Sequence, residues 1–228
     1  MPRTSQPVFR QAICTRSIFG AAAILRFMPR TIMMTPWHDG SSFGHSVSVM
    51  SNPNIIAPDS LFLLDESRPD TCVPIHDSVF QVVQKAGSNG GRATSRQYVL
   101  VHFAPPSSSA RGCELHWSIP ESTLFQLYEG SHQLDVKLTT GYVQPFQPTW
   151  NSLIAGNPPT LGPGVFGTVN AVPGANAVVN TTQYSEGLGF VFKFADWVEQ
   201  AGGAAGLNFT CRAIGNPPVP TGPHVRYL

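Results

Sequence analysis

From Pro53 onward, apolar and polar residues alternate in short runs broken by turn-rich segments. Successive side chains of a β-strand point to opposite faces, so a period of two marks half-buried strands. In "CELHWSI" (113–119), Cys113, Leu115, Trp117 and Ile119 fall on one face, and Glu114, His116 and Ser118 on the other. "LDVKL" (134–138) sets Leu134, Val136 and Leu138 against Asp135 and Lys137, and "QYVLVHF" (97–103) aligns Val99, Val101 and Phe103. "SLFLLD" (60–65), "SVFQVV" (78–83), "FGTVNAV" (166–172), "AVVNTTQY" (177–184), "LGFVFKFADW" (188–197) and "LNFTCRAI" (207–214) continue the series. "GSNGG", "PPSSS", "GNPPTLGPG", "VPGAN" and "AGGAAG" between them are turn or loop material. The pattern predicts an all-β fold: an antiparallel β-sandwich or jelly roll of about eight or nine strands. One helix is expected, over "PESTLFQLY" (120–128), with Ser122 as its cap.

Composition agrees. Gly and Pro number 21 each among 228 residues, and both disfavour helix interiors. An apolar share of 42%, with 10% aromatic, excludes a chain that is disordered throughout. Three segments are expected: a basic leader and linker at 1–52, the sandwich at 53–214, and a Pro/Gly-rich extended tail at 215–228.

Charge separates the leader from the body. Residues 1–37 hold Arg3, Arg10, Arg16, Arg26 and Arg30 and no acid. The remaining nine basic residues face all thirteen acids, so the body is mildly acidic and lacks the footprint of a nucleic-acid binder. No apolar run reaches the length of about 18 residues that a membrane-spanning helix needs. "IFGAAAIL" (18–25) after basic residues suits a degenerate secretory signal, and the Arg-rich, acid-free start also suits a transit segment. A disordered leader or a mispredicted start, on an intracellular protein, is the remaining reading.

The candidate chemistry is thin. Cys113 and His116 have a ligand-like spacing, but an odd separation on a strand sends them to opposite faces. Cys211 shares a face with Leu207 and Phe209, so Cys113 and Cys211 are candidates for a buried disulfide between sheets. Cys72 competes as a partner for either, and buried free thiols are the alternative. The seven histidines are scattered, without HExxH, GxSxG or a P-loop, and "HDS" (76–78) cannot form a triad from adjacent positions. No metal site, cofactor or catalytic residue is expected. Asn180 and Asn208 head glycosylation sequons, a pattern short enough to arise by chance.

"IIAPDSLFLLDESRPDT" (55–71), "YVLVHFAPPSSSARGCELHWSIPES" (98–122), "TWNSLIAGNPP" (149–159) and "GTVNAVPGANAVVNTT" (167–182) follow one another in a familiar order. Over residues 53–214 the chain resembles the fungal But-two C-terminal-domain family (ubiquitin-3-binding protein type). It departs from that pattern at "RGCEL", where Gly-Lys-Thr-Cys is usual, and in the insertion "KAGSNGGRATSR". The resemblance implies a small secreted or cell-surface fungal β-sandwich without assigned chemistry. The "TWN…P" element also resembles jelly-roll carbohydrate-binding modules, with Trp150, Tyr142 and Phe146 as a stacking platform. Packing of those aromatics against the sandwich is the plainer expectation. The functional expectation is a non-enzymatic surface protein with an adhesive, cell-wall or host-facing role. Its partners would be cell-wall polysaccharide or another surface protein. A carbohydrate-binding module is the alternative, and a glycan hydrolase with paired carboxylates a weaker one.

Overall fold

The computed structural model describes residues 55–104, 112–139, 147–156, 161–183, 188–212 and 220–228. In chain order its strands are β1 (Ile55–Ile56), β2 (Ser60–Asp65), β3 (Val73–Pro74), β4 (Val79–Lys85), β5 (Thr94–Phe103), β6 (Gly112–Ser118), β7 (Phe125–Glu129), β8 (Gln133–Leu138), β9 (Gly167–Asn170), β10 (Asn176–Gln183), β11 (Leu188–Phe194), β12 (Ala205–Thr210) and β13 (Gly222–Tyr227). Two short helices, α1 (Trp150–Leu153) and α2 (Asp196–Ala201), follow β8 and β11. The smaller sheet has the order β1-β13-β6-β10. The larger runs β7-β12-β4-β5-β11-β8-β9, with β2 added to β5 and β3 to β2. The described strands pair antiparallel, and the fold is an all-β sandwich.

The inward faces are those set by alternation. Cys113, Leu115, Trp117 and Ile119 meet Phe80, Val99, Val101, Phe103, Phe192 and Phe209 in one buried cluster. Trp117 lies at its centre, with the rings of Phe80, Phe192 and Phe209 at 5.3, 5.4 and 5.6 Å. Its indole N–H donates to Asn170 O at 3.2 Å, so the polar atom is satisfied inside the core.

β5 and β11 are covered on both faces. Their near-continuous apolar runs reflect this. Tyr98, Leu100 and Val191 point away from the main core into a second cluster with Leu64, Trp150 and Leu153 on the outer face of the larger sheet.

Four expectations change. Residues 125–129 are strand β7, hydrogen-bonded to β12, and only the turn Thr123 N→Pro120 O (2.9 Å) precedes it. A helix of two turns cannot hold itself in water, whereas edge pairing to β12 satisfies the same backbone. The run 188–197 is strand only to Phe194, and α2 follows. That helix ends on Gly202 at φ +72°, where a methyl group would stand 1.9 Å from Gly91 O. The C-terminal tail supplies β13, which lies between β1 and β6 in the smaller sheet. Pro223 fits there because β1 reaches only Val225 and Arg226, so no N–H is needed on that side.

The fourth change concerns the cysteines. Cys113 and Cys211 are both buried and both free thiols. Cys211 Sγ would lie 2.7 Å from a methyl group on Gly222, which is paired with Ser118. Cys113 is at the other end of β6, five residues from Ser118 and so roughly 17 Å along the strand. A disulfide needs Cα atoms within about 7 Å, so inward-facing positions at opposite ends of the core cannot be joined.

Candidate functional site

The outer face of the larger sheet carries a cleft of about 300 Å³, and the local sequence explains its walls. Thr149 caps α1: its Oγ1 accepts Ser152 N at 3.1 Å, and Ser152 Oγ accepts Thr149 N at 2.9 Å. Asn151 anchors the turn, with its N donating to Pro69 O (2.9 Å) and its side-chain amide to Asp70 Oδ1 (2.8 Å). This seats Trp150 on Tyr98, centroids 4.8 Å apart, with the Arg96 guanidinium over the indole at 5.1 Å.

Trp150 is therefore 5% exposed, and its ring is occupied by protein. The stacking platform expected there would need an open face, which this indole does not offer. Tyr142 and Phe146 lie outside the described residues.

Beneath the cleft is a buried charge network centred on Glu199. Its carboxylate is fully buried and takes Tyr98 Oη at 2.6 Å, Arg92 at 3.1 Å, Lys193 at 3.2 Å and Arg96 at 3.4 Å. Arg96 also forms a fork on Glu66, at 2.6 and 3.1 Å. That pairing, opposed by burial, holds the Glu66 carboxyl below its ordinary range. Burial first, and then the Glu199 charge, push the Tyr98 phenol far up. Lys193 reaches Asp196 Oδ1 at 2.6 Å and holds that carboxyl low, again against burial, with the Lys137 and Arg92 charges adding to the effect.

The arrangement fastens α2 to β5 and β11 while turning cations toward the cleft. Arg92, Arg96, Lys137 and Lys193 line it, with Asp196 as the lining carboxylate and Ile154, Leu161 and Pro163 as an apolar side. Donor counting divides the cations. Three oxygens surround Lys193 Nζ, those of Asp196, Glu199 and Phe194. Arg96 gives four contacts to Glu66, Tyr98 and Glu199. Arg92 makes one, to Glu199, and its side chain is 59% exposed. Lys137 makes no hydrogen bond or close ion pair among the described residues, and its charge acts on Asp196.

The other sequence candidates lie elsewhere. Cys113 faces the core, and His116 lies on the opposite face of the smaller sheet, 3.1 Å from Glu114 Oε2 and stacked on His224 at 5.3 Å. Asn180 is exposed on β10, with its amide donating to Phe166 O at 2.6 Å. Asn208 is half-buried between β4 and β7, with its amide on Tyr128 Oη at 2.8 Å. Among the described residues no group of three His, Cys, Asp or Glu side chains is placed to hold a metal ion.

The fold also joins residues that sequence reading passed over. His102 Nδ1 lies 2.8 Å from Asp59 Oδ1, and Ser60 is its cross-strand neighbour. Ser60 Oγ is buried and makes no hydrogen bond, so the three do not form a proton relay. Arg92, Arg96, Tyr98, Lys193 and Glu199 carried no motif. The available signal was a lone charge within an apolar strand, as at Arg96 in "RQYVL" and Lys193 in "FKF".

No protein-family model matches this chain, and no curated protein matches it. The likeness to the But-two family thus rests on the motifs quoted above.

Proposed function

We propose that this protein is a non-enzymatic β-sandwich binding module whose ligand site is the cleft over β5, β11 and β8. The observation that carries this reading is a concave site lined by preorganised charge and one apolar wall, on strands whose other face is the protein core. Small-molecule sites combine these features, and about 300 Å³ suits a compact ligand or one residue of a polymer. Saturation of the acid–base groups favours binding over hydrolysis. Glu199 is sealed under four donors, and Asp196 is the lone carboxylate among the described lining residues, whereas glycoside hydrolysis needs two. The But-two likeness and the signal-like "IFGAAAIL" support a secreted or cell-surface setting, where wall polysaccharide or another surface protein would be the partner.

A carbohydrate-binding variant of this reading draws on Trp197, 58% exposed on α2 beside Asp196. An exposed indole is the surface a sugar ring stacks on. The test is a fragment and oligosaccharide titration of the full chain followed by amide chemical shifts. Shifts clustered on residues 92–98, 137, 154, 161–163 and 193–197 are expected. Their absence with every compound would remove the cleft as the binding site.

A further inference from the structure

The geometry points to a small organic anion as the ligand of this cleft, its negatively charged head held between Arg92 and Lys137 and its body against Ile154, Leu161 and Pro163. This rests on the cleft being a binding site, as proposed above, and names what it binds.

The argument is one of unspent donors. Four cations line the cleft, yet Lys193 and Arg96 have committed their N–H groups to protein oxygens. They contribute fixed charge and little hydrogen bonding. Among the described residues, Arg92 retains four of its five N–H groups, and Lys137 all three. Arg92 is largely exposed and Lys137 is half-buried. The acids beneath are already satisfied: buried Glu199 by four donors and half-buried Glu66 by the Arg96 fork. Among the described side chains, an incoming cation would find Asp196 as its acceptor, which Lys193 already holds at 2.6 Å. An incoming carboxylate, sulfate or phosphate would meet the open donors of Arg92 and Lys137, while the charges of Arg96 and Lys193 are offset by Glu66, Glu199 and Asp196. Charge-assisted hydrogen bonds to such a head are roughly twice as strong as neutral ones. The apolar wall on the other side excludes a bare inorganic ion as the best fit and favours an anion carried on a compact body. Asp196 is the carboxylate among the described lining residues, which sets a specific expectation for its removal.

The test uses the full chain and three probes of one shape: benzoate, phenyl phosphate and uncharged benzyl alcohol, titrated while amide and Arg side-chain shifts are followed. Benzoate or phenyl phosphate should move Arg92, Lys137 and their neighbours, with benzyl alcohol at least about tenfold weaker. Which of the two anions binds more tightly separates a carboxylate site from a phosphate site. Arg92→Gln and Lys137→Gln should each weaken the anion by about tenfold, and Asp196→Asn should tighten it severalfold. Arg226→Gln, the same charge change on the smaller sheet, should leave affinity unchanged. Binding should weaken as salt rises. Benzyl alcohol binding as tightly as benzoate would overturn the anion while keeping the cleft as a site. Silence of the cleft resonances with all three probes would overturn both.

Discussion

The phenol of Tyr98 donates to Glu199 Oε1 at 2.6 Å, tying the middle of β5 to α2. Arg96 and Lys193, whose side chains are only 14% and 6% exposed, lean on the same carboxylate. Removing one member of a buried charge cluster strands the others without compensation, at a cost of about 3–5 kcal/mol. Glu199→Ala should therefore lower unfolding free energy by roughly that amount in urea denaturation. Tyr98→Phe removes one donor and should cost only about 1–2 kcal/mol. Arg92→Gln removes a largely exposed partner and should cost under about 1 kcal/mol. An equal cost for all three would show that the network is not organised around Glu199.

The two core thiols make a second expectation. Burial pushes Cys113 up to about 11, against a lowering from the Thr182 backbone, and Cys211 up to about 12. Both stay protonated at pH 8, and both are shielded from reagent. Thiol-reactive dye should label them slowly in the native protein and quickly in urea, and non-reducing mass spectrometry should show no Cys113–Cys211 bridge. In the unfolded chain these thiols ionise near pH 9, so stability should decline as pH rises from about 9 toward the folded values.

His224 governs the acid side. It is buried, and that burial lowers its pKa against the Gly222 carbonyl contact, with the His116 charge lowering it further. Glu114 and Arg226 are the other charged groups placed around this stacked pair on β6 and β13. The folded state thus favours the neutral ring. Stability should be full above about pH 6.5 and fall as pH drops below it, because the unfolded ring takes up a proton first. The low-lying carboxylates Glu66 and Asp196 contribute their own loss only in the acid range below about pH 4.5. Thermal melts from pH 7 to 5 should show a slope that His224→Asn flattens; an unchanged slope would assign it elsewhere.

Gly222 has φ +94°, and a methyl group there would stand 2.7 Å from Cys211 Sγ. Gly222→Ala should cost about 1–3 kcal/mol. Adding Cys211→Ala should recover the part due to the clash and leave the backbone part. Recovery of the whole loss would mean that the backbone there is unstrained.

Strand alternation made the inner face legible, because burial on one side writes itself into the sequence at period two. Cys113, Leu115, Trp117 and Phe209 were all placed on the face where they lie. The cleft was not legible. Arg96 and Glu66 meet across β5 and the segment after β2, and Glu199 arrives from a helix that ran on from a strand in the apolar pattern. Such contacts depend on which strands become neighbours, and local periodicity says nothing of that. The tail was misplaced for a related reason: "GPHVRY" has Pro and Gly signals that mark a loop everywhere except beside a sheet edge that ends early.

That tail has a kinetic consequence. In the smaller sheet, Ile55 is paired with Arg226, and Arg226 with Glu114, so β13 is the clasp between the first strand and the rest. A ribosome delivers β13 after every other described strand, and until then β1 has no neighbour and β6 has a bare side. Contacts this distant in sequence slow folding, and unpaired strand edges invite association while they wait. Among the described strands, the smaller sheet therefore closes only once β13 has emerged, while β6 and β10 can already pair.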